Sequence, residues 1–275
     1  MSGFLDGMAR SSAARVAAAA SCEPMALLRR RALGVAAAPP LRLSAEGFDV
    51  IAEIKLRSPA AGALSAPSDD WLARAVDYSR GGAAAVSILT EPSRFDGSLQ
   101  HLQRAAEVLR PLGCPAMRKD FLVDPYQLAE ARAAGAGGVL LIVRMLTREQ
   151  LAEMLDAAAE FGLFVLLEAF DGEDLAAAAQ VLGGRAPDQP QVLVGINSRD
   201  LQTLEVVPER FAALAPLLPG GWPAVAESGV SCAADAQAML RLGYRLALIG
   251  TALMTSPEPA RLLREIFAAT RTVKS

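Results

Sequence analysis

Lysine is the scarce cation of this chain: against 24 arginines there are three lysines, Lys55, Lys119 and Lys274. Lys55 follows the apolar run "FDVIAEI" and Lys119 ends "PAMRK". An arginine guanidinium is a planar fork that stays charged, whereas a lysine ammonium is a compact donor whose pKa falls when it is buried or crowded by another cation. Lysine at these two points therefore signals a cation able to surrender a proton, while Lys274, in the tail, shows what an uninformative lysine looks like. Glu53 precedes Lys55 by two residues, so on a strand both side chains leave from one face. A carboxylate so placed holds the ammonium protonated and aimed. Glu168 closes "LFVLLE", an apolar frame that favours a raised pKa and proton transfer. Its structural alternative is a carboxylate at the start of a helix opened by "DGEDL".

A second group suggests an anion site. "AESGVS" and "LIGTALM" place Ser228-Gly229 and Gly250-Thr251 directly after apolar runs. Glycine lets backbone N–H groups approach oxygens closely, and the hydroxyls add donors. Each pair alone is equally a helix cap; the two together point to phosphate.

The elements that must position these groups follow a regular pattern. Eight short apolar runs, at 48–54, 84–89, 115–119, 137–143, 163–168, 191–196, 223–227 and 246–250, alternate with longer amphipathic stretches. That is the signature of βα units and a parallel sheet. Asp124-Pro125 reads as an N-cap with proline in the first turn, and "TREQ" at 147–150 as a capping box. Glycines in "RGGAA" and "AGAGG" fit helix exits. Eight repeats in about 225 residues, with no G-x-G-x-x-G after the first run, favour a closed α/β (β/α)8 TIM barrel over an open dinucleotide-binding sheet. Residues 1–46 are then an N-terminal helical extension and 47–275 the barrel. In such a barrel the site lies at the strand C-terminal ends. The run ends supply Glu53, Lys55, Thr90, Glu91, Lys119, Arg144, Glu168, Asn197, Arg199, Glu227, Ser228, Gly250 and Thr251.

Composition narrows the partners. A net charge of −3 and a pI near 5.4 offer no field for nucleic acid or anionic lipid. No apolar run reaches the ~18 residues of a membrane span. The expected partner is a small molecule, the location the cytoplasm, and the chain a monomer or weak homo-oligomer. Cys22, Cys114 and Cys232 are too scattered for a disulfide framework or a zinc site and are expected as three reduced, buried thiols. With one histidine, His101, on a predicted helix, a histidine metal site or catalytic triad is nearly excluded. The Ala- and Arg-rich first forty residues share their bias with transit peptides, but a plain helix explains them as well.

From Phe48 to Met254 the sequence resembles the indole-3-glycerol phosphate synthase family. The motifs that carry the likeness are "IAEIKLRSP", "LTEPSRFDGS", "RKDFLVDPYQLAEAR", "GGVLLIV", "LLEAFD", "VGINSRDLQTLEV", "VAESGV" and "LIGTALM". The first forty-odd residues match the family's helical extension, which helps cover the site, only loosely. The resemblance implies a carboxy-lyase of tryptophan biosynthesis that needs no metal or organic cofactor. It would convert 1-(2-carboxyphenylamino)-1-deoxyribulose 5-phosphate to indole-3-glycerol phosphate with ring closure and loss of CO2 and water. It further implies Lys119 as general acid, Glu168 as base for the dehydration, and Lys55 against the substrate's anionic groups with Glu53 holding it. Asn197, Arg199 and Ser58 would orient the anthranilate ring and its carboxylate. Ser228, Gly229, Gly250 and Thr251 would take the phosphate, with Glu227 beside them on the substrate. Phe95, Phe121 and Leu201 could flank the ring or be ordinary core residues.

Several positions depart from the family pattern. "SPAAG" stands for the usual "SPSKG", so Ala60 and Ala61 remove a hydroxyl and a cation from the first loop, which is expected to close less tightly. Ala169 and Phe170 replace the usual Val and His, Arg144 adds a charge, and Thr251 replaces Ser. The alternatives are a secondary-metabolic paralogue, another phosphate-binding barrel such as an isomerase or Schiff-base aldolase, and a binder without turnover. A sister isomerase would be expected to carry a Cys base on its first strand, where this chain has Glu53 and Lys55.

Overall fold

The structure, a computed structural model, describes residues 3–45, 47–58, 62–63, 70–186, 191–201 and 203–271. Its centre is a closed barrel of eight parallel strands. In chain order they are β1 (Asp49–Ile54), β2 (Ala85–Leu89), β3 (Ala116–Lys119), β4 (Gly138–Ile142), β5 (Phe164–Ala169), β6 (Val192–Asn197), β7 (Ala224–Glu227) and β8 (Leu246–Ile249). Each neighbours the next, and β1 closes the ring by pairing Asp49 with Leu246 of β8 and Ile51 with Ala85 of β2. All eight apolar runs became strands, with ends shifted by a residue or so.

Two helices, α1 (Gly3–Cys22) and α2 (Met25–Gly34), precede the barrel. A helix of six residues or more follows each strand: α3 (Trp71–Arg80), α4 (Leu99–Leu109), α5 (Pro125–Ala133), α6 (Arg148–Phe161), α7 (Gly172–Leu182), α8 (Glu209–Leu214), α9 (Ala233–Arg241) and α10 (Pro259–Thr270), with two further short helical turns at Pro92–Phe95 and Thr251–Thr255. The local signals act as the sequence implied. Asp124 accepts the Tyr126 amide at 2.8 Å ahead of Pro125. Thr147 and Gln150 exchange backbone-to-side-chain bonds at 2.9 and 3.2 Å, satisfying two amides that the first turn of α6 leaves free. A short antiparallel hairpin, Arg57–Ser58 with Gly62–Ala63, follows β1 and was not foreseen.

Alternation along the strands divides the apolar residues into two cores. Val50, Ala52 and Ile54 face the helix layer, while Ile51 faces the barrel axis with Met117, Leu140, Leu166, Leu193, Val225 and Leu248. At the lower end Phe164 fills the axis, and Gly138 is glycine because a Cβ there would strike that ring. The expectation of three buried thiols fails. Cys114 is buried, but Cys22 at the end of α1 and Cys232 at the start of α9 are exposed, since helix ends here face solvent. His101 is an ordinary helix residue, its ring 5.3 Å from that of Trp71.

Candidate active site

The period-two alternation that sends Ile51 and Met117 to the axis also sends the next inward residues, Glu53 and Lys119, into the barrel mouth. By the same count Leu166 is followed inward by Glu168, Leu193 by Gly195 and Asn197, and Val225 by Glu227. These side chains meet at the floor of a cavity of about 340 Å3 at the strand C-terminal ends.

Lys55 Nζ lies 3.1 Å from Glu53 Oε1, a direct ion pair. Lys119 Nζ lies 3.8 Å from Glu53 Oε2 and 3.7 Å from Glu168 Oε2, close enough for strong attraction and too long for tight hydrogen bonds. Glu53 thus bridges both lysines. Asn197 Nδ2 donates to Glu168 Oε1 at 3.2 Å. Its Oδ1 accepts the Ser228 hydroxyl at 2.9 Å and the Arg199 amide at 2.9 Å, so three successive strand ends are tied through one amide. Ser228 holds φ at +66°, a left-handed conformation that costs a non-glycine residue energy and turns the chain sharply after β7.

The electrostatics follow from burial and charge together. Burial opposes ionisation of Glu53, but Lys55 and Lys119 outweigh it and hold the carboxyl below its ordinary range. Burial works against the charge of Lys119, yet Glu168, Glu53 and Glu227 overcome this and raise it above the usual lysine range. The general tendency of burial to lower a lysine pKa is thus outweighed at Lys119 by the carboxyl groups around it, which favour the protonated ammonium. Glu227 goes the other way. Burial, reinforced by Glu168, pushes its carboxyl well above the ordinary range, with Lys119 opposing. Among the described residues, no N–H or hydroxyl donor hydrogen-bonds either Glu227 oxygen or Glu168 Oε2; Glu227 and Glu168 instead face each other, and Glu168 Oε2 meets Lys119.

Two glycines make this crowding possible. A Cβ on Gly195 would overlap Glu227 Oε1, and one on Gly250 would come within 2.5 Å of Glu53 Oε1 and 3.3 Å of Lys55 Nζ.

Of the residues singled out in the sequence, Glu53, Lys55, Lys119, Glu168, Asn197, Arg199, Glu227, Ser228 and Thr251 line this one cavity. Gly229 and Gly250 are not part of the lining. Gly229, at φ +86°, backs onto Val206, and Gly250 makes room for Glu53. Ser58 pairs through its backbone with Gly62. The altered first-loop positions Ala60 and Ala61 lie outside the described residues. Phe95, Phe121 and Leu201 do line the cavity. Three strand-end residues serve the scaffold instead: Thr90 donates to Asp120 at 2.8 Å, Glu91 caps the turn Pro92–Phe95, and Arg144 pairs with Asp174 and stacks over Phe170 at 4.8 Å.

Sequence reasoning missed Phe4 and Leu5 of α1, Asp120, and Gly195, and it noted Phe170 only as a departure. Phe4, Leu5, Asp120 and Phe170 line the cavity. A glycine inside the strand "VLVGI" was a readable signal of close approach. Nothing local marks Phe4 or Leu5, because their place depends on how a helix docks some hundred residues away in sequence. Among the described residues, no three His, Cys, Asp or Glu side chains converge as metal ligands would.

Two lysines and three carboxyl groups converging on an apolar-walled cavity at the strand C-terminal ends give this (β/α)8 barrel the donors and acceptors of an enzyme site. The family model described as indole-3-glycerol phosphate synthase matches residues 11–266. The chain is 43% identical over 223 residues to the indole-3-glycerol phosphate synthase of Kineococcus radiotolerans, covering 81% of this chain and 77% of that one. It is 38% identical over 271 residues to the Mycobacterium tuberculosis protein of the same name, covering 97% and 93%. The chain belongs to the indole-3-glycerol phosphate synthase family. Among solved structures it shares its fold with 3-hexulose-6-phosphate synthase from Salmonella typhimurium (TM-score 0.62, 12% identity, 81% of this chain and 98% of that one). A chain of the tryptophan synthase α2β2 complex from Pyrococcus furiosus is similar (TM-score 0.53, 16% identity, 81% and 99%).

Proposed function

We propose that this chain converts 1-(2-carboxyphenylamino)-1-deoxyribulose 5-phosphate to indole-3-glycerol phosphate, CO2 and water. The observation that carries the reading is Lys119 held between Glu53 and Glu168 on the floor of one cavity. Ring closure joins the carboxyl-bearing ring carbon to the ketone carbon, and the former carbonyl oxygen must take up a proton as that bond forms. Lys119 supplies it. Its raised pKa does not oppose the transfer, because the oxygen becomes an alkoxide far more basic than an amine. Loss of CO2 restores the aromatic ring. Expulsion of the hydroxyl then completes the pyrrole: Glu168, oriented by Asn197, takes the proton from the carbon beside nitrogen and passes it to the departing hydroxyl, which leaves as water, and Lys119 regains its proton from solvent.

The substrate's carboxylate and phosphate would hold the reacting middle in place from both ends. Lys55 and Arg199 are assigned to the carboxylate side, with Glu53 aiming Lys55 and Ser58 on the loop above. Ser228, Gly229, Gly250 and Thr251 are assigned to the phosphate, with Glu227 between the two ends. Residues 1–46 act as an extension of a catalytic barrel at 47–275, and the chain works as a monomer or weak homo-oligomer in the cytoplasm.

The test is to add the carboxyphenylamino ribulose phosphate to purified protein and follow indole fluorescence. Steady turnover supports the assignment, and binding without turnover would refute it. Borohydride added with the substrate should trap no adduct on Lys55 or Lys119; a trapped lysine would mean Schiff-base chemistry instead.

A further inference from the structure

We propose that Arg15 and Asp120 form a latch that seats α1 over the cavity and registers it against the strand end carrying Lys119, which makes both of them positioning residues for the reaction. The inference rests on the assignment of that cavity as the active site.

Asp120 directly follows Lys119 at the edge of the cavity, and its side chain meets Arg15 of α1. Its side chain is fully buried and saturated. Arg15 approaches both oxygens, Nη2 to Oδ1 at 2.8 Å and Nη1 to Oδ2 at 3.0 Å. The Phe121 amide adds 2.8 Å to Oδ1, and Thr90 and Arg118 add 2.8 and 3.2 Å to Oδ2. A two-pronged guanidinium–carboxylate contact fixes angle as well as distance, which a single bond does not. One turn back along α1, the Ser12 hydroxyl donates to the Phe121 carbonyl and accepts from Gln127 at 2.8 Å. The middle of α1 is thereby bound to the segment that leaves Lys119.

The other end of the same helix is apolar and enters the site. Leu5 and Met8 are buried, and Phe4 and Leu5 line the cavity, with the Phe4 ring 5.9 Å from that of Phe121 in an edge-on contact. Positions 5, 8, 12 and 15 fall on one face of a helix, and about 15 Å of rigid helix separates Leu5 from Arg15. A small tilt at the latch thus becomes a displacement of the cavity roof. The other α1 residues packed against the core, Ala9, Val16, Ala19 and Ala20, are apolar and make no directional contact.

The experiment compares the full-length protein with Arg15→Met, which keeps the stem and loses the fork, and Arg15→Lys, which keeps the charge. Arg15→Met is expected to raise KM about fivefold or more with kcat within about threefold, and Arg15→Lys to recover part of the loss. Amide exchange in residues 5–12 should quicken about tenfold in Arg15→Met while the strand amides hold. Adding Phe4→Ala to Arg15→Met should change KM by less than about twofold, because both act through one roof. Unchanged exchange would show that the pair does not seat the helix. Faster exchange with an unchanged KM, or a lowered Tm alone, would reduce the latch to a structural contact and overturn the proposal. Because the exchange arm needs no substrate, absence of turnover in the wild type would defeat the functional reading without deciding the latch.

Discussion

Strand β3 presents two different environments from adjacent residues. Outward, Arg118 is 2% exposed and meets Thr90, Asp120, Glu130 and the Gln127 carbonyl at 2.8–3.2 Å, leaving nothing unpaired. Inward, Lys119 stands 3.7–3.8 Å from two carboxylates, and among the described residues no N–H or hydroxyl donor hydrogen-bonds Glu168 Oε2 or either Glu227 oxygen. Buried polar groups are normally satisfied, and each exception costs on the order of 1–3 kcal/mol. The outward network is built for stability. The inward cluster holds its groups apart and underused, the arrangement that the proposed reaction requires, and it is stabilised by the rest of the barrel.

The contrast can be broken from either side. The largest effect should come from Arg118→Met, which takes the buried guanidinium from Asp120, from the partly buried Glu130, and from the Thr90 hydroxyl and Gln127 carbonyl at once, and should cost about 3 kcal/mol of unfolding free energy in a denaturant titration. Next is Lys119→Arg, which keeps the charge but removes the usable proton. Its kcat should fall about 10²-fold or more with the denaturation midpoint nearly unchanged, and activity close to wild type would end the assignment of Lys119.

Acid sharpens the outward side. Burial opposes ionisation of Asp120, but Arg15, Arg118 and Thr90 hold its pKa down at about 2 against an ordinary 3.8. A depressed carboxylate stabilises the fold above its unfolded pKa and loses that contribution as pH falls through the folded one. Asp120 should thus contribute about 2 kcal/mol at neutral pH. The stability gap between wild type and Asp120→Asn should close between roughly pH 4 and pH 2.

The smallest effect has the opposite sign. Glu227 has a raised pKa, so the folded state holds its proton longer than the unfolded state does, and stability declines as pH rises past the ordinary carboxylate range. Glu227→Gln should therefore be more stable than wild type by about 1 kcal/mol near pH 8 and equal to it near pH 4, while losing activity. A variant less stable at pH 8 would show that the carboxylate is a structural asset.

Much of this was legible in the chain itself. Short apolar runs alternating with amphipathic stretches placed all eight strands, and position at a strand end sufficed to bring Glu53, Lys119, Glu168, Asn197 and Glu227 into one mouth. In a closed parallel barrel every strand delivers its last inward residue to the same place, so local sequence fixes the site's membership. What local sequence could not decide was which groups ionise and which remote segments close the cavity. Lys119 is raised because three carboxylates from other strands outweigh its burial, and Thr90 and Arg144 became scaffold because their partners, Asp120 and Asp174, lie on other elements. The roof depends on a helix whose docking residue, Arg15, finds Asp120 more than a hundred positions later. Alternation is a property of neighbours along the chain and can be read there; pKa and closure are sums over neighbours in space, which exist only once the barrel has formed.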